Sequence, residues 1–252
     1  MIVNFFEEFP TKTNLNKINL ITWPSTIYVA AKSFKDFNKI TQPYKKKNIT
    51  FAYWPILEHK EGYWLSPFSS SKAVKRITKE IYESKDKNIK IMWDAELPFR
   101  HPWLFLRIDN FLKNKIIIKT FFKQNGKNIL TSEYPVKNKL AEVIFKFLGI
   151  YFSPKKFHNK KIIMYYTSMH HLVSKLFLKN IARSYQKYED DLQVGLGTIA
   201  HGILGDEPIL KPQLLNHDLK DMQKIGIKEV VIFRLGGLNK EYVQILNRYI
   251  TK

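Results

Sequence analysis

Short apolar runs rich in Ile, Val, Phe and Tyr recur along the chain, and most lead through a turn into a segment with helical spacing. That alternation is the pattern of parallel strands joined by crossover helices. The predicted strands are Ile2 to Phe6, Thr26 to Ala30, Ile49 to Trp54, Ile89 to Trp93, Ile129 to Ser132, Lys161 to Tyr166, Leu192 to Leu196 and Glu229 to Phe233. Helices are expected from about Asn14 to Ile21, from Ser33, whose hydroxyl suits an N-cap, and from Ser71, where Ala73, Val74, Ile77 and Ile81 form one stripe. One interrupted helix or two should follow strand four, and further helices should cover Leu140 to Leu148, Leu172 to Tyr188 and Glu241 to Ile250.

These β-then-α units predict an α/β fold of the (β/α)8, TIM-type barrel class. No repeat, low-complexity linker or hinge interrupts the series, so residues 1–252 read as a single domain. An open doubly wound sheet would show a Gly-rich turn after its first strand, where this chain has Glu7-Glu8-Phe9-Pro10.

Composition agrees with that outline. The 252 residues match the roughly 250 of one such barrel, and a hydrophobic share of 44% with 14% aromatics supplies a large core. Cysteine is absent, which excludes disulfides, thiolate metal sites and a cysteine nucleophile. No apolar run approaches the roughly 20 residues of a membrane span, and Glu7 and Glu8 fall where a signal peptide would be apolar. A cytoplasmic protein is expected, an exported form with a trimmed signal being the alternative.

The formal charge of +20 would suit an anionic ligand. Only six of the 42 basic residues are Arg, the side chain suited to bidentate phosphate or base contacts, so nucleic acid is the weaker candidate partner. The run Lys45-Lys46-Lys47 and the pairs Lys155-Lys156 and Lys160-Lys161 read as solvated loop ends.

In a barrel of this class the working residues follow the C-terminal ends of the strands. Those positions hold Glu7 and Glu8, Lys32, Trp54 with Glu58, Asp94 and Glu96, Glu133 with Tyr134, Tyr166 with Ser168, His201, and Arg234. The sharpest group is Asp94-Ala95-Glu96. Strand alternation puts both carboxyls on the face of Met92, opposite Trp93, and two close carboxylates raise one pKa toward that of a proton donor at neutral pH. A glycosidic general acid needs that property.

With these residues the chain resembles the family 18 (chitinase-like) glycoside hydrolases, barrels whose fourth strand ends in an acidic motif finishing Asp-x-Glu. The resemblance implies Glu96 as acid and Asp94 as the residue that orients a substrate acetamido group. Ile89 and Met92 stand where the family has two further acids. The resemblance continues at strand six in Met164-Tyr165-Tyr166, with Thr167 where the family has Asp, and adds Tyr166 to the catalytic candidates.

Glu133 is a candidate nucleophile or base opposite Glu96. Only one of Glu7 and Glu8 should face inward, and Glu8 is taken as the substrate-binding one. Trp23, Trp54 and Trp64 suit stacking on sugar faces, with His201 and Arg234 as polar contacts. Seven of ten glycines lie between Gly195 and Gly237, so Gly197, Gly236 and Gly237 with Arg234 form an alternative phosphate site of the kind barrels build there. No ligand spacing points to a metal, His170 and His171 being adjacent and expected to point apart, and no cofactor is called for. The leading expectation is a glycoside hydrolase-like enzyme with a carbohydrate or sugar-like substrate. The alternatives are a lyase or isomerase acting on a phosphorylated metabolite, and a non-catalytic glycan- or nucleic-acid-binding barrel.

Overall fold

A computed structural model describes residues 1–84, 88–98, 102–106, 108–136, 138–169 and 174–250. Eight strands, β1 (Ile2–Glu7), β2 (Ser25–Ala31), β3 (Ile49–Pro55), β4 (Ile91–Asp94), β5 (Ile129–Glu133), β6 (Lys160–Tyr165), β7 (Leu192–Gly197) and β8 (Glu229–Phe233), follow one another around a closed barrel. Every strand predicted from the apolar runs is present within a residue or two of its expected bounds.

The helices are α1 (Lys12–Leu15), α2 (Phe34–Thr41), α3 (Ser71–Glu83), α4 (Ile108–Asn125), α5 (Lys139–Leu148), α6 (Pro154–Phe157), α7 (Ser174–Tyr188), α8 (Pro212–Ile225) and α9 (Lys240–Leu246). The stripe Ala73, Val74, Ile77 and Ile81 of α3 is buried as its spacing requires. Ser33 accepts from the Asp36 N–H at 3.1 Å and so caps α2. The expected helix at Asn14–Ile21 is instead α1 and a 3-10 turn at Asn16–Leu20. Helix α8 was not located from the sequence, although Leu215, Leu219 and Met222 bury one side of it and Pro212 opens it. His170 and His171, with the start of the helix expected from Leu172, lie outside the described residues.

Two compact units are distinguishable: Met1–Ala30 with Ile40–Ala52 and Ile162–Lys252, and Ala31–Lys39 with Tyr53–Lys161. In the first, β1 pairs with β2 and β8, and β8 with β7, through the registers Phe5↔Ile27, Phe5↔Ile232 and Leu196↔Ile232. Phe6 packs on Tyr28 and Phe233 with centroids 5.7 and 6.1 Å apart, and Tyr166 meets Phe233 at 5.9 Å. In the second, β4 pairs with β5 in the register Asp94↔Ser132. Trp93 packs outward on Phe121 and Phe122 of α4. Alternation therefore turns Met92 and Asp94 to the opposite face, both buried.

Candidate functional site

In the second unit, β4 stops at Asp94, but the Ala95 N–H still donates to the Ser132 carbonyl at 3.0 Å. That bond carries the chain straight on and brings Glu96 level with Tyr134, just past the end of β5. The Tyr134 phenol donates to Glu96 Oε2 at 3.0 Å, and a second hydrogen bond joins the same carboxyl to Asp94. Burial pushes the Glu96 pKa up to about 7, and the two hydrogen bonds hold it from rising further. Repulsion from Asp94, the cause that the Asp-x-Glu spacing suggests, does not do the raising. Desolvation does it instead, and the hydrogen bond with Asp94 works against the rise.

Glu133 occupies a different environment. Both it and Lys161 are 2% exposed at the side chain, and Lys161 Nζ lies 2.8 Å from Oε2. The Thr131 hydroxyl and the Phe152 N–H donate to Oε1 at 2.7 and 3.1 Å. Burial raises its pKa while the Lys161 charge and these donors pull it back. Both oxygens are engaged, so Glu133 holds β5, β6 and the chain before α6 together. Lys161 was expected in a solvated loop end. It lies inside β6 with its ammonium 3.5 Å from the Tyr151 ring centroid. A lysine at an apolar strand position is stable there because a carboxylate and an aromatic face replace its water.

Among the aromatics of this unit, Tyr53 packs on Phe34 and Phe37, which turns Trp54 to the other strand face, where it is buried. Trp64 stands partly exposed in the loop after β3, edge-on to Tyr63 at 5.3 Å. Lys32 and Glu58 form an exposed ion pair at 2.7 Å.

The first unit holds the remaining candidates. Trp23 is removed from the stacking set: it precedes β2, at the N-terminal end of the strand, and its buried indole donates to the Val3 carbonyl at 3.1 Å. Glu7 and Glu8 are both buried. Glu7 accepts from Arg234 Nη1 at 3.0 Å, from the Gly236 N–H at 2.6 Å and from the Phe9 N–H at 2.9 Å. Arg234 also donates through Nε to the carbonyl of the exposed His201 at 2.8 Å.

That geometry corrects the phosphate alternative. The Gly236 N–H and Arg234 Nη1 already hold a carboxyl, and it is the chain's own Glu7. The neighbouring donors are engaged too, Thr198 N–H with Ser168 Oγ at 2.9 Å and Gly237 N–H with the Arg234 carbonyl at 3.0 Å. The glycines answer to close packing. A Cβ on Gly197, whose φ is +144°, would stand 2.5 Å from the Phe233 carbonyl oxygen, and one on Gly237 would stand 1.9 Å from that of Ile199.

Glu207, which the strand-end rule passes over because it sits deep in the loop after β7, is buried close to Glu8. A Cβ placed on Gly202 would meet Glu207 Oε1 at 2.8 Å, Glu8 Oε2 at 2.9 Å and the Phe233 ring at 2.8 Å. Glu207 itself accepts from the Leu204 and Gly205 N–H groups, both at 3.0 Å. No group of three or more metal-ligating side chains occurs among the described residues.

Solved structures similar to this one cover nearly the whole chain. The PgaB (BpsB) glycoside hydrolase domain from Bordetella bronchiseptica superposes with a TM-score of 0.62 and 11% identity over 99% of this chain and 98% of that one. The fold is one that glycoside hydrolases use. A GH18 chitinase from Cycas revoluta, solved in complex with (GlcNAc)3, gives a TM-score of 0.58 and 9% identity, covering 99% of both chains. The catalytic domain of a beta-amylase from Paenibacillus polymyxa gives 0.56 and 9%, covering 99% of this chain and 97% of that one. No family model and no curated protein matches the sequence.

Proposed function

We propose that the chain is a carbohydrate-active hydrolase in which Glu96 donates the proton that breaks a glycosidic bond. The observation that carries the reading is the Glu96 carboxyl itself, partly buried, raised to about 7 and held by Asp94 and Tyr134 at the end of a barrel strand. A group of that pKa is protonated often enough at neutral pH to donate and is acidic enough to do so readily. As the bond to the leaving sugar lengthens, the proton passes from Glu96 to the departing oxygen. The resulting carboxylate is stabilised by the hydrogen bonds it shares with Tyr134 and Asp94, both of which lower its pKa.

A separate carboxylate nucleophile would have to stand about 5 Å or more from the acid. Asp94 is hydrogen-bonded to it and Glu133 is locked to Lys161, so neither fits that place. The arrangement suits a substrate that supplies its own nucleophile, as an N-acetyl group beside the anomeric carbon does, with Asp94 placed to orient it. The fold shared with chitinase-type barrels supports the same reading.

The test is release of reducing ends from a panel of N-acetylated and plain β-linked oligosaccharides. Cleavage confined to the N-acetylated members, reduced about 10²–10⁴-fold in Glu96→Gln, is the expected result. Undiminished cleavage by Glu96→Gln would remove Glu96 from the role.

A further inference from the structure

Helix α4 buries Phe111, Ile118, Phe121 and Phe122, yet it and α5 also carry apolar side chains on their exposed faces. On α4, Ile108, Leu112 and Ile116, at spacing i, i+4, i+8, are 69%, 56% and 68% exposed. On α5 no residue is buried at all, and Leu140, Val143, Ile144 and Phe147 form a second stripe at i, i+3, i+4, i+7. The two stripes are neighbours, because Phe111 and Phe147 meet at 5.9 Å and Lys115 Nζ donates to the Phe147 carbonyl at 2.7 Å. Single exposed apolar side chains need no explanation, but a patch of this size on two adjoining helices marks a contact surface.

Charge around the patch selects what it contacts. Helix α4 carries Lys113, Lys115, Lys119 and Lys123 against the single acid Asp109, and the one acid of α5, Glu142, is paired with Lys146 at 2.6 Å. Beside the stripes lies a pocket of about 330 Å³ whose floor is Tyr151, Phe152 and Phe157 and whose rim is Lys115, Lys119, Lys146 and Lys156. A chain of formal charge +20 does not readily set this lysine-ringed face against a second copy of itself. An anionic bilayer satisfies both parts, acyl chains receiving the apolar stripes and phosphates the lysines.

We propose that the α4–α5 face docks on an anionic phospholipid surface, with a lipid phosphate seated among Lys115, Lys119, Lys146 and Lys156. The helices lie in the interface and do not cross it, and no helix among the described residues is long and apolar enough to span a membrane. A phosphate there would favour the charged form of Lys115, whose pKa burial and the charge of Lys119 both lower in the free protein. The inference stands apart from the hydrolase reading and is independent of Glu96.

Flotation of the full chain with phosphatidylcholine vesicles, with and without phosphatidylserine, tests it. Binding is expected only to the anionic vesicles. It should weaken at least about tenfold in Leu112→Ser/Ile116→Ser/Leu140→Ser, by loss of the inserted side chains, and again with added salt. The substituted side chains are exposed, so circular dichroism should be unchanged. Lys119→Gln/Lys156→Gln provides a second variant of the same expected direction. No binding to anionic vesicles, or binding indifferent to the triple substitution, overturns the proposal. So does a dimer in sedimentation velocity that the triple substitution dissociates without any vesicle binding.

Discussion

The phenol of Tyr134 donates to Glu96 across the β4–β5 strand ends at 3.0 Å. Because that bond favours the ionised carboxylate, Tyr134→Phe should raise the Glu96 pKa above its value of about 7. An acid catalyst works while protonated, so the alkaline limb of the hydrolysis profile should move to higher pH. Titration of the Glu96 side-chain carboxyl by NMR gives the same quantity without substrate. A limb that stays in place or moves to lower pH would contradict the assignment.

The Glu133–Lys161 pair should show the asymmetry of buried ion pairs. Lys161→Met leaves a buried carboxylate without its charge partner and should cost about 3–5 kcal/mol in urea unfolding. Replacing both, as Glu133→Leu with Lys161→Met, should recover part of that loss. A double variant no more stable than Lys161→Met alone would show that Glu133 contributes mainly through Thr131 and Phe152.

Inorganic phosphate at millimolar concentration should leave the amide resonances of Gly197 and Gly236 unmoved, because Glu7 already occupies Arg234 Nη1 and the Gly236 N–H. Glu7→Ala frees both donors. Phosphate should then bind and shift Gly236, a gain that wild-type binding of equal strength would disprove.

Asp218 gives a pH signature of its own. Burial raises its pKa from 3.8 to about 6, against the hydrogen bond that the Thr167 hydroxyl donates and the influence of neighbouring His217. Between those two pKa values the native state binds more protons than the unfolded chain, so stability should fall as pH rises from about 4 to about 6, by up to about 3 kcal/mol. Asp218→Asn keeps an acceptor for Thr167 and cannot ionise. Its unfolding free energy should be flatter across that window, which denaturant titrations at several pH values would show.

The strands, their order and the strand-end position of Asp94 and Glu96 were readable from the sequence alone, because apolar periodicity is set by local geometry that each segment carries within itself. The α3 stripe and the Ser33 cap were legible for the same reason. What the tertiary structure decided was which polar groups meet. Lys161 looks like a loop lysine until Glu133 and Tyr151 are brought to it from other elements. Gly236 and Arg234 look like an anion site until Glu7, more than two hundred residues earlier in the chain, is found there. Trp23 looks free until its indole reaches Val3. Such pairings are long-range, and residue type specifies only that a buried polar group must find a partner, leaving the choice of partner to packing. The raised pKa of Glu96 belongs to that second kind, since its cause is desolvation by surroundings the local sequence does not contain.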